Sequence, residues 1–361
     1  PAVLMENAGR AVAERAEKWI EGWDGKDVVI FCGKGNNGGD GFVIARYILA
    51  AGARAYVYIL GDDGDYSDEA RQHLHTLREL ADDETCLLLS APESQDDWQL
   101  LRKRLHASSI VIDAMVGTGF HGSLRQPVSA IVAEINVASA VGAVTVIAVD
   151  MPTGVNADTG VVSHGDDEED GPLFADMTVT FGVLKRGLSL YPGRACAGHI
   201  EVDSIGMPGP LLYGANDDAV YLLQQSDIAE IVVPRSPDSH KGSHGTIAVV
   251  TGSSQMAGAA LMAAHGAVRS GAGKVFLRVP GKVGPYCIGV QPEVMVKSVN
   301  RRLLYGRGCR GNHRRKPKLV GPGHGPRHGE GRPDAGILEA RLSRNDVPRR
   351  PRRRRLEPLG R

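Results

Sequence analysis

Several features that would assign a chain to a compartment or a chemical class are absent here. None of the 361 residues falls in a run of about 18 apolar residues, so we predict no transmembrane helix and no membrane partner. The chain begins Pro1-Ala2-Val3 without an initiator methionine or a signal-peptide pattern. We therefore expect that an N-terminal piece of a longer chain is missing. No cysteine pair has the CxxC spacing of a zinc or redox site, so we expect the reduced thiols of a cytoplasmic protein at Cys32, Cys86, Cys196, Cys287 and Cys309.

Aromatic residues are scarce, at 5% of the chain, and none follows Tyr305. The net charge of zero hides a split: residues 300–361 hold 17 Arg and 2 Lys against 5 acidic residues, a net of +14 that leaves −14 on the rest. A basic tail is typical of proteins that bind nucleic acid or anionic membranes. Because this tail has no aromatic rings to stack on bases, we expect no nucleic-acid partner.

Hydrophobic periodicity predicts strands that alternate with helices along the first half of the chain. Apolar residues recur at helical spacing over 3–20, and the run at 27–32 is a short buried strand. Such alternation favours βαβ units, so we expect an α/β fold with a mainly parallel sheet covered on both faces. The further predicted strands are 55–60, 109–113, 144–150 and 177–181, and the further predicted helices are 40–51, 67–81, 95–106 and 126–138.

A second α/β pattern follows a break rich in Pro, Ser and Asp. We predict an N-terminal domain over 1–212, a linker over 213–237 with a helix near 226–232, and the start of another domain over 238–299. The second domain has a predicted strand at 246–251, a helix at 255–270 and a strand at 274–279. Periodicity then stops, which leaves 300–361 as a disrupted remainder; the acidic run at 166–170 is expected to be a solvated loop.

Three predicted strands end in unusual segments, 33–41, 113–119 and 150–154. Ligands bind at the carboxyl ends of parallel strands, so the three segments are expected to converge on one site. The first segment reads Gly33-Lys34-Gly35-Asn36-Asn37-Gly38-Gly39-Asp40-Gly41 and joins a strand to a helix. Its glycines let backbone N–H groups turn toward an anion, and the helix N-terminus adds a positive dipole, so we expect a phosphate or pyrophosphate there.

A dinucleotide-binding dehydrogenase is the alternative for the first segment, because Gly33, Gly35 and Gly38 also fit the GxGxxG spacing. Two asparagines and an aspartate in the turn disfavour it, as does the lack of an acidic residue at the end of the next strand. The other two segments each place a carboxylate at a strand end. Asp113 could equally form a turn or cap a helix, whereas Asp150, if desolvated, is a candidate proton-transfer group.

Taken together, the motifs GxGNNGGDG, DAxxGTG and DxPTG with a following DTG resemble the NAD(P)H-hydrate epimerase family. Segments 4–10 and 178–182 match as well, so the resemblance covers about residues 1–207. It implies a Rossmann-like three-layer αβα domain that forms a homodimer. The implied activity is an isomerase that interconverts the R and S forms of hydrated NADH or NADPH, written NAD(P)HX, in cofactor repair.

The resemblance also implies roles for individual residues. Asp150 would contact the substrate and act as the acid or base. Lys185 would neutralise the charge of a phosphate or of Asp150; the alternative is a surface lysine. A potassium ion (K⁺) would be held by Asn37, Asp113 and Thr153. The substrate would be bound by Asn36, Asn37, Gly38, Gly39 and Asp40, and by a second loop formed by Gly117, Thr118, Gly119, Phe120, His121, Gly122 and Ser123.

Residues 238–297 resemble the start of the ADP-dependent NAD(P)H-hydrate dehydratase, a ribokinase-like lyase domain. Ala259 and Gly323 are candidate substrate contacts, although the small residues at 258–260 could instead serve close packing. His240, His244 and His265 lack the spacing of a metal site. The family's later GTGD-like segment is missing, so we expect no dehydratase activity, and ADP or ATP binding only in an intact domain.

The arginine-rich run at 349–358 suggests a shifted reading frame. With suitable synonymous codons, dropping one base converts it to Val-Val-Leu-Asp-Ala-Asp-Ala-Leu-Asn, which resembles the dehydratase strand that follows the GPG loop. An intact single frame at the sequenced locus would contradict this hypothesis.

Two other functional classes remain open. One is a noncatalytic epimerase-like binding module, against which the joint presence of Asn37, Asp113 and Asp150 argues. The other is an intact kinase-like enzyme, which the missing C-terminal motifs disfavour.

Overall fold

The computed structural model describes residues 2–164, 171–212, 220–232, 234–253 and 255–299. The chain divides into two units between Leu222 and Leu223. The acidic run at 166–170 and the remainder over 300–361, with its predicted contact Gly323, lie outside the described residues.

The first unit is built on one parallel sheet of seven strands in the order β3-β2-β1-β4-β5-β6-β7. The strands are β1 (Asp27–Cys32), β2 (Arg54–Ile59), β3 (Cys86–Ser90), β4 (Ile110–Ala114), β5 (Thr145–Val149), β6 (Met177–Phe181) and β7 (His199–Asp203). The helices are α1 (Ala2–Ile20), α2 (Asn36–Ala50), α3 (Asp68–Leu80), α4 (Gln95–Ala107), α5 (Val128–Ala140), α6 (Gly193–Cys196) and α7 (Gly209–Leu212).

Successive residues of the central strands bury their side chains on opposite faces of the sheet, because side chains alternate along a strand. Val28 and Ile30 of β1 pack in a core with α1, α2 and α3, whereas Val29 and Phe31 pack in a core with α4 and α5. With both faces covered, β1 reads as a continuous apolar run rather than an alternating one. The predicted α/β class with a parallel sheet between two helical layers is confirmed.

Most predicted elements of the first unit are found within two residues of their expected bounds, but α2 begins earlier than predicted. It starts at Asn36 and not near residue 40, so the glycine run forms the first helical turns. Close packing explains these glycines: a Cβ on Gly38 would lie 1.9 Å from the carbonyl oxygen of Gly33, and one on Gly41 would lie 2.6 Å from Cys32 Sγ. Tertiary contact here overrides the low helix propensity of glycine.

The strand order places the three unusual strand ends side by side. The chain runs outward from β1 to β2 and β3 on one side, and from β4 to β7 on the other. The segments that follow β1 and β4 therefore diverge and open a crevice at this switch point. Because β5 lies next to β4, the convergence of the three segments is confirmed.

The second unit has a parallel sheet of three strands in the order β10-β9-β8. Its strands are β8 (Thr246–Val250), β9 (Lys274–Pro280) and β10 (Val294–Val299), and its helices are α8 (Gln225–Ile231), α9 (Ala257–Arg269) and α10 (Gly284–Cys287). The sequence predicted these elements except β10 and the short α10. Across the part of the chain that the structure describes, no helix is long and apolar enough to cross a membrane.

Candidate active site

Asp113 and Thr153 join the ends of β4 and β5 through a buried hydrogen-bond network. Both residues are fully buried. Thr153 donates its backbone N–H to Asp113 Oδ2 at 2.8 Å and its hydroxyl to Oδ1 at 2.7 Å, and Met115 N–H also donates to Oδ1. Burial raises the pKa of Asp113 to about 6, and the hydrogen bonds from Thr153 and Met115 oppose part of that rise. Asp113 is therefore a buried hydrogen-bond acceptor that links the ends of β4 and β5. A turn-forming role would explain its hydrogen bond from Met115 but not the two from Thr153.

Asn37 lies beside this network, in the first turn of α2. Its side chain is buried, and a Cβ on Gly117 would lie 3.3 Å from Asn37 Oδ1. Gly117 follows β4 closely, and its neighbour Val116 donates its backbone N–H to Thr153 Oγ1 at 3.1 Å. The three residues expected to hold potassium thus all lie against the short backbone segment 115–117.

The donor set of Asn37, Asp113 and Thr153 fits a hard monovalent cation. It offers an amide, a carboxylate and a hydroxyl oxygen, which are the ligand types that such ions prefer. Asn37 Nδ2 is buried without a hydrogen-bond partner among the described residues, and a rotated amide would present its oxygen instead. No three His, Cys, Asp or Glu side chains gather as a metal site within the described ranges.

Asp150 follows β5 with its backbone in the left-handed region, at a φ of 65°. Its Oδ1 accepts hydrogen bonds from Thr180 Oγ1 at 3.0 Å and Phe181 N–H at 3.1 Å, and it pairs with Lys185 Nζ at 2.5 Å. Lys185 also donates to the carbonyl of Phe181, and its side chain is largely buried. Lys185 is therefore the counter-ion of Asp150 and not a surface lysine.

A second carboxylate, Asp40, faces this ion pair from α2. It is buried, and burial holds its pKa well above the usual range. The charge of Asp150 raises the pKa of Asp40 further, and Lys185 lowers it. The site therefore holds two carboxyl groups in unlike environments, an arrangement that enzymes use to separate an acid from a base.

The predicted phosphate-binding segment, residues 33–41, has an exposed part and a buried part. Lys34, Gly35 and Asn36 are exposed at the helix N-terminus, where free backbone N–H groups can meet an anion. The residues from Asn37 to Gly41 are buried, and Gly39 packs against Met5. An anion would therefore meet the exposed end of this segment, and the buried glycines serve packing.

The second predicted substrate loop lies along an open cavity of about 430 Å³. Gly122 and Ser123 line this cavity, and so does Phe120, which is buried. Most of the loop between Thr118 and Ser123 is exposed. The opposite wall is formed by Asn156, Thr159, Val161, Val162 and His164.

The first unit matches a known family over most of its length. The family model of the YjeF-related protein N-terminus covers residues 1–187, more than half of the chain. The chain belongs to this YjeF-related family. A second model, described as NAD(P)H-hydrate dehydratase, matches residues 247–331 and so reaches Gly323. The family resemblance drawn from the motifs is confirmed: an epimerase-family domain is followed by part of a dehydratase-family domain.

The similar proteins include bifunctional repair enzymes. A bifunctional NAD(P)H-hydrate repair enzyme Nnr of Salinibacter ruber is 37% identical over 75% of this chain and 49% of its own length. The enzymes of the same name from Moorella thermoacetica and Thermofilum pendens are 35% and 31% identical, over 82% and 90% of this chain and 53% and 59% of their own lengths. The YjeF-related chain thus spans about half the length of these relatives.

Sequence reasoning did not find every polar contact in the YjeF-related site. The sequence indicates Thr180 only as part of the matching segment 178–182, yet its hydroxyl donates a hydrogen bond to Asp150 Oδ1. Its position near the end of β6, next to β5, is the signal that could have identified it. In the second unit, Ala259 lies in α9 and is exposed.

Proposed function

We propose that residues 1–212 catalyse the epimerisation of NAD(P)HX. The observation that carries the proposal is the meeting of Asp150, Lys185 and Asp40 at the crevice where β1, β4 and β5 end. The family of the chain and the names of its relatives support this substrate class.

In the proposed reaction the two carboxyl groups exchange protons with the hydrated nicotinamide ring. Interconversion of the R and S forms requires a ring-opened or dehydrated intermediate, so a proton must be taken up and returned. Lys185, Thr180 and the Phe181 N–H orient the carboxylate of Asp150, which in this scheme is the group that accepts the proton. Asp40, whose pKa is raised by burial, is suited to supply one.

Other residues of the crevice would bind and orient the substrate. The exposed N-terminus of α2 suits a phosphate group, and the loop from Gly117 to Ser123 would contact the rest of the dinucleotide. Asn37, Asp113 and Thr153 would hold the potassium ion, which supplies a fixed positive charge for an electron-rich intermediate.

The test is an assay of the purified chain on the R form of NAD(P)HX in potassium buffer. A separate dehydratase consumes the S form, so the rate of cofactor recovery reports epimerisation. We expect activity in the parent chain and a loss of at least about 100-fold in Asp150→Ala. A folded parent chain without activity would overturn the proposal and favour a noncatalytic binding module.

Potassium binding has a readout that does not depend on activity. We expect KCl to raise the melting temperature more than choline chloride does at equal ionic strength, because a bound ion stabilises only the folded state. Asp113→Asn, which removes the carboxylate charge, should abolish the difference between the two salts. An equal response of the parent chain to both salts would argue against a specific potassium site.

The second unit is proposed to be inactive as a dehydratase. It matches its family over residues 247–331, and the chain spans about half the length of the bifunctional relatives. We expect no ADP-dependent formation of NAD(P)H from the S form by the chain alone. Cofactor formation that requires ADP would contradict this expectation.

A further inference from the structure

Asn156 joins two loops that border the cavity of the first unit. Its Nδ2 donates to the Phe120 carbonyl at 3.0 Å and contacts His121 Nδ1 at 3.1 Å. Its Oδ1 accepts from the backbone N–H groups of Asp158 and Thr159 and from the Thr159 hydroxyl, at 2.8–3.1 Å. One side chain therefore holds both the substrate loop and the turn opposite it.

The partners of Asn156 fix the orientation of its amide. Backbone N–H groups only donate, so they require the oxygen, and the carbonyl of Phe120 only accepts, so it requires the nitrogen. The nitrogen then meets His121 Nδ1, which must act as an acceptor. In the neutral His121 ring the proton is consequently on Nε2. His121 is exposed, so its Nε2–H can donate to an oxygen of a bound molecule.

The backbone around Asn156 is itself held in place. Its N–H donates to the Val161 carbonyl at 2.9 Å, and its own carbonyl accepts from Gly160 N–H at 3.0 Å. Gly187 lies so close that a Cβ there would come within 2.0 Å of the Asn156 carbonyl oxygen. The amide thus extends from a fixed turn toward the more exposed substrate loop.

We propose that Asn156 is a positioning residue: it fixes the backbone at Phe120 and His121 and holds His121 as the Nε2–H tautomer for a substrate oxygen. This inference rests on the proposed epimerase function for its kinetic consequence, but not for its geometry. Asn156 touches no reacting atom in this scheme; it acts through the loop that it holds.

The first measurements require no activity. Nitrogen-15 NMR of the parent chain is expected to show His121 protonated on Nε2 when neutral. In the Asn156→Asp variant, a carboxylate replaces the amide donor, so the His121 proton should move to Nδ1. In Asn156→Ala, hydrogen exchange of the backbone amides over 117–123 should accelerate about tenfold. A His121 proton on Nδ1 in the parent chain would overturn the proposal.

Asn136→Ala is the matched control. Asn136 is also half-buried, and it also bridges loop backbone, by donating to the Pro172 carbonyl and accepting from Phe174 N–H, both at 3.0 Å. Its removal should lower stability without changing exchange over 117–123. Equal acceleration in both variants would show that Asn156 has a general structural role, and would overturn the proposal.

The kinetic experiment then connects the geometry to the function. We expect Asn156→Ala to raise KM for NAD(P)HX about tenfold with kcat nearly unchanged, because a misplaced loop weakens binding more than chemistry. Asn136→Ala should leave both constants near the parent values. An inactive parent chain would refute the proposed function while the NMR and exchange results still decided the role of Asn156. An unchanged KM in an active Asn156→Ala enzyme would overturn that role.

Discussion

At the scale of single residues, Lys185 acts on the site through its charge. Lys185 Nζ lies 2.5 Å from Asp150 Oδ1, and both side chains are largely shielded from solvent. We predict that Lys185→Met lowers kcat of the epimerase reaction about 10–100-fold, because Asp150 keeps only the donors from Thr180 and Phe181. Steady-state kinetics measure this, with Lys185→Arg as the charge-retaining comparison. A methionine variant with parental kcat would remove Lys185 from the mechanism.

Asp40 has a consequence for stability as well as for chemistry. Because burial raises its pKa, the folded protein retains a proton that the unfolded chain releases above about pH 4. Folding therefore costs more free energy as the pH rises from about 4 toward the folded-state pKa. Asp40→Asn avoids that cost, so we predict equal melting temperatures near pH 4 and a variant that melts about 2–4 °C higher at pH 7.

Thermal melts of both proteins across this pH range measure the difference. Asp82→Asn is a useful comparison, because hydrogen bonds from Thr85 lower the pKa of Asp82 to about 2. Its effect should have the opposite sign, with the parent chain more stable above about pH 4. An Asp40→Asn variant whose advantage did not grow with pH would show that Asp40 is not held protonated by the fold.

At the scale of secondary-structure elements, the start of α2 depends on the absence of side chains. A Cβ on Gly38 would lie 1.9 Å from the Gly33 carbonyl oxygen, and backbone cannot move aside as a flexible side chain can. We predict that Gly38→Ala lowers the free energy of unfolding by about 3 kcal/mol. Gly64→Ala, where nothing lies within 4 Å of the added Cβ, should change it by less than about 0.5 kcal/mol.

Urea denaturation of the two variants measures this comparison. A Gly38→Ala protein as stable as Gly64→Ala would mean that α2 can shift away from β1 at little cost. The glycines would then be retained for a bound ligand rather than for packing.

The elements that the sequence did not reveal share a physical cause. β3 reads Cys-Leu-Leu-Leu-Ser, and leucine favours helices without the β-branched residues typical of strands. It lies at one edge of the sheet, and β7, which reads His-Ile-Glu-Val-Asp, lies at the other. Neither has the run of β-branched residues that identified β1. The central strands could be predicted because both of their faces are buried.

The site was predictable to the extent that it follows from strand ends. The segments with Asp113 and Asp150 were found because each carboxylate ends an apolar run, and the parallel order then brings them together. The ion pair of Asp150 with Lys185 could be predicted only as one of several alternatives, because it depends on the path of the chain after β6. The role of Asn156 could not be predicted, since nothing in sequence spacing shows that a side chain spans two loops.

At the scale of the whole molecule, the two units differ in how much apolar surface they bury. Among the described residues, the second unit has a core of 8 buried residues, whereas the two largest cores of the first unit have 28 and 17. β8 exposes most of its residues, including Ile247 and Val250. The second unit should therefore open at lower cost than the first.

We predict that limited proteolysis cuts the chain within 223–299 before it cuts within 2–164. The surviving fragment should keep the melting temperature and the epimerase activity of the parent chain, because the proposed site lies wholly in the first unit. Mass spectrometry of the time course identifies the cut sites. Early cleavage within α2 or the central strands would reverse the order of stability inferred from the cores.

The backbone at Asp150 sets a conflict between folding and activity. A φ of 65° is easy for glycine and mildly unfavourable for aspartate, so the chain tolerates local strain at the position where it needs a carboxylate. In a library sorted only for well-folded protein, Asp150→Asn should be retained, because asparagine also adopts this φ and keeps an oxygen for Thr180 Oγ1 and Phe181 N–H. In cells that depend on cofactor repair the same variant should disappear, and the different frequencies of one codon in the two selections would show that the chemistry requires a charge that folding does not.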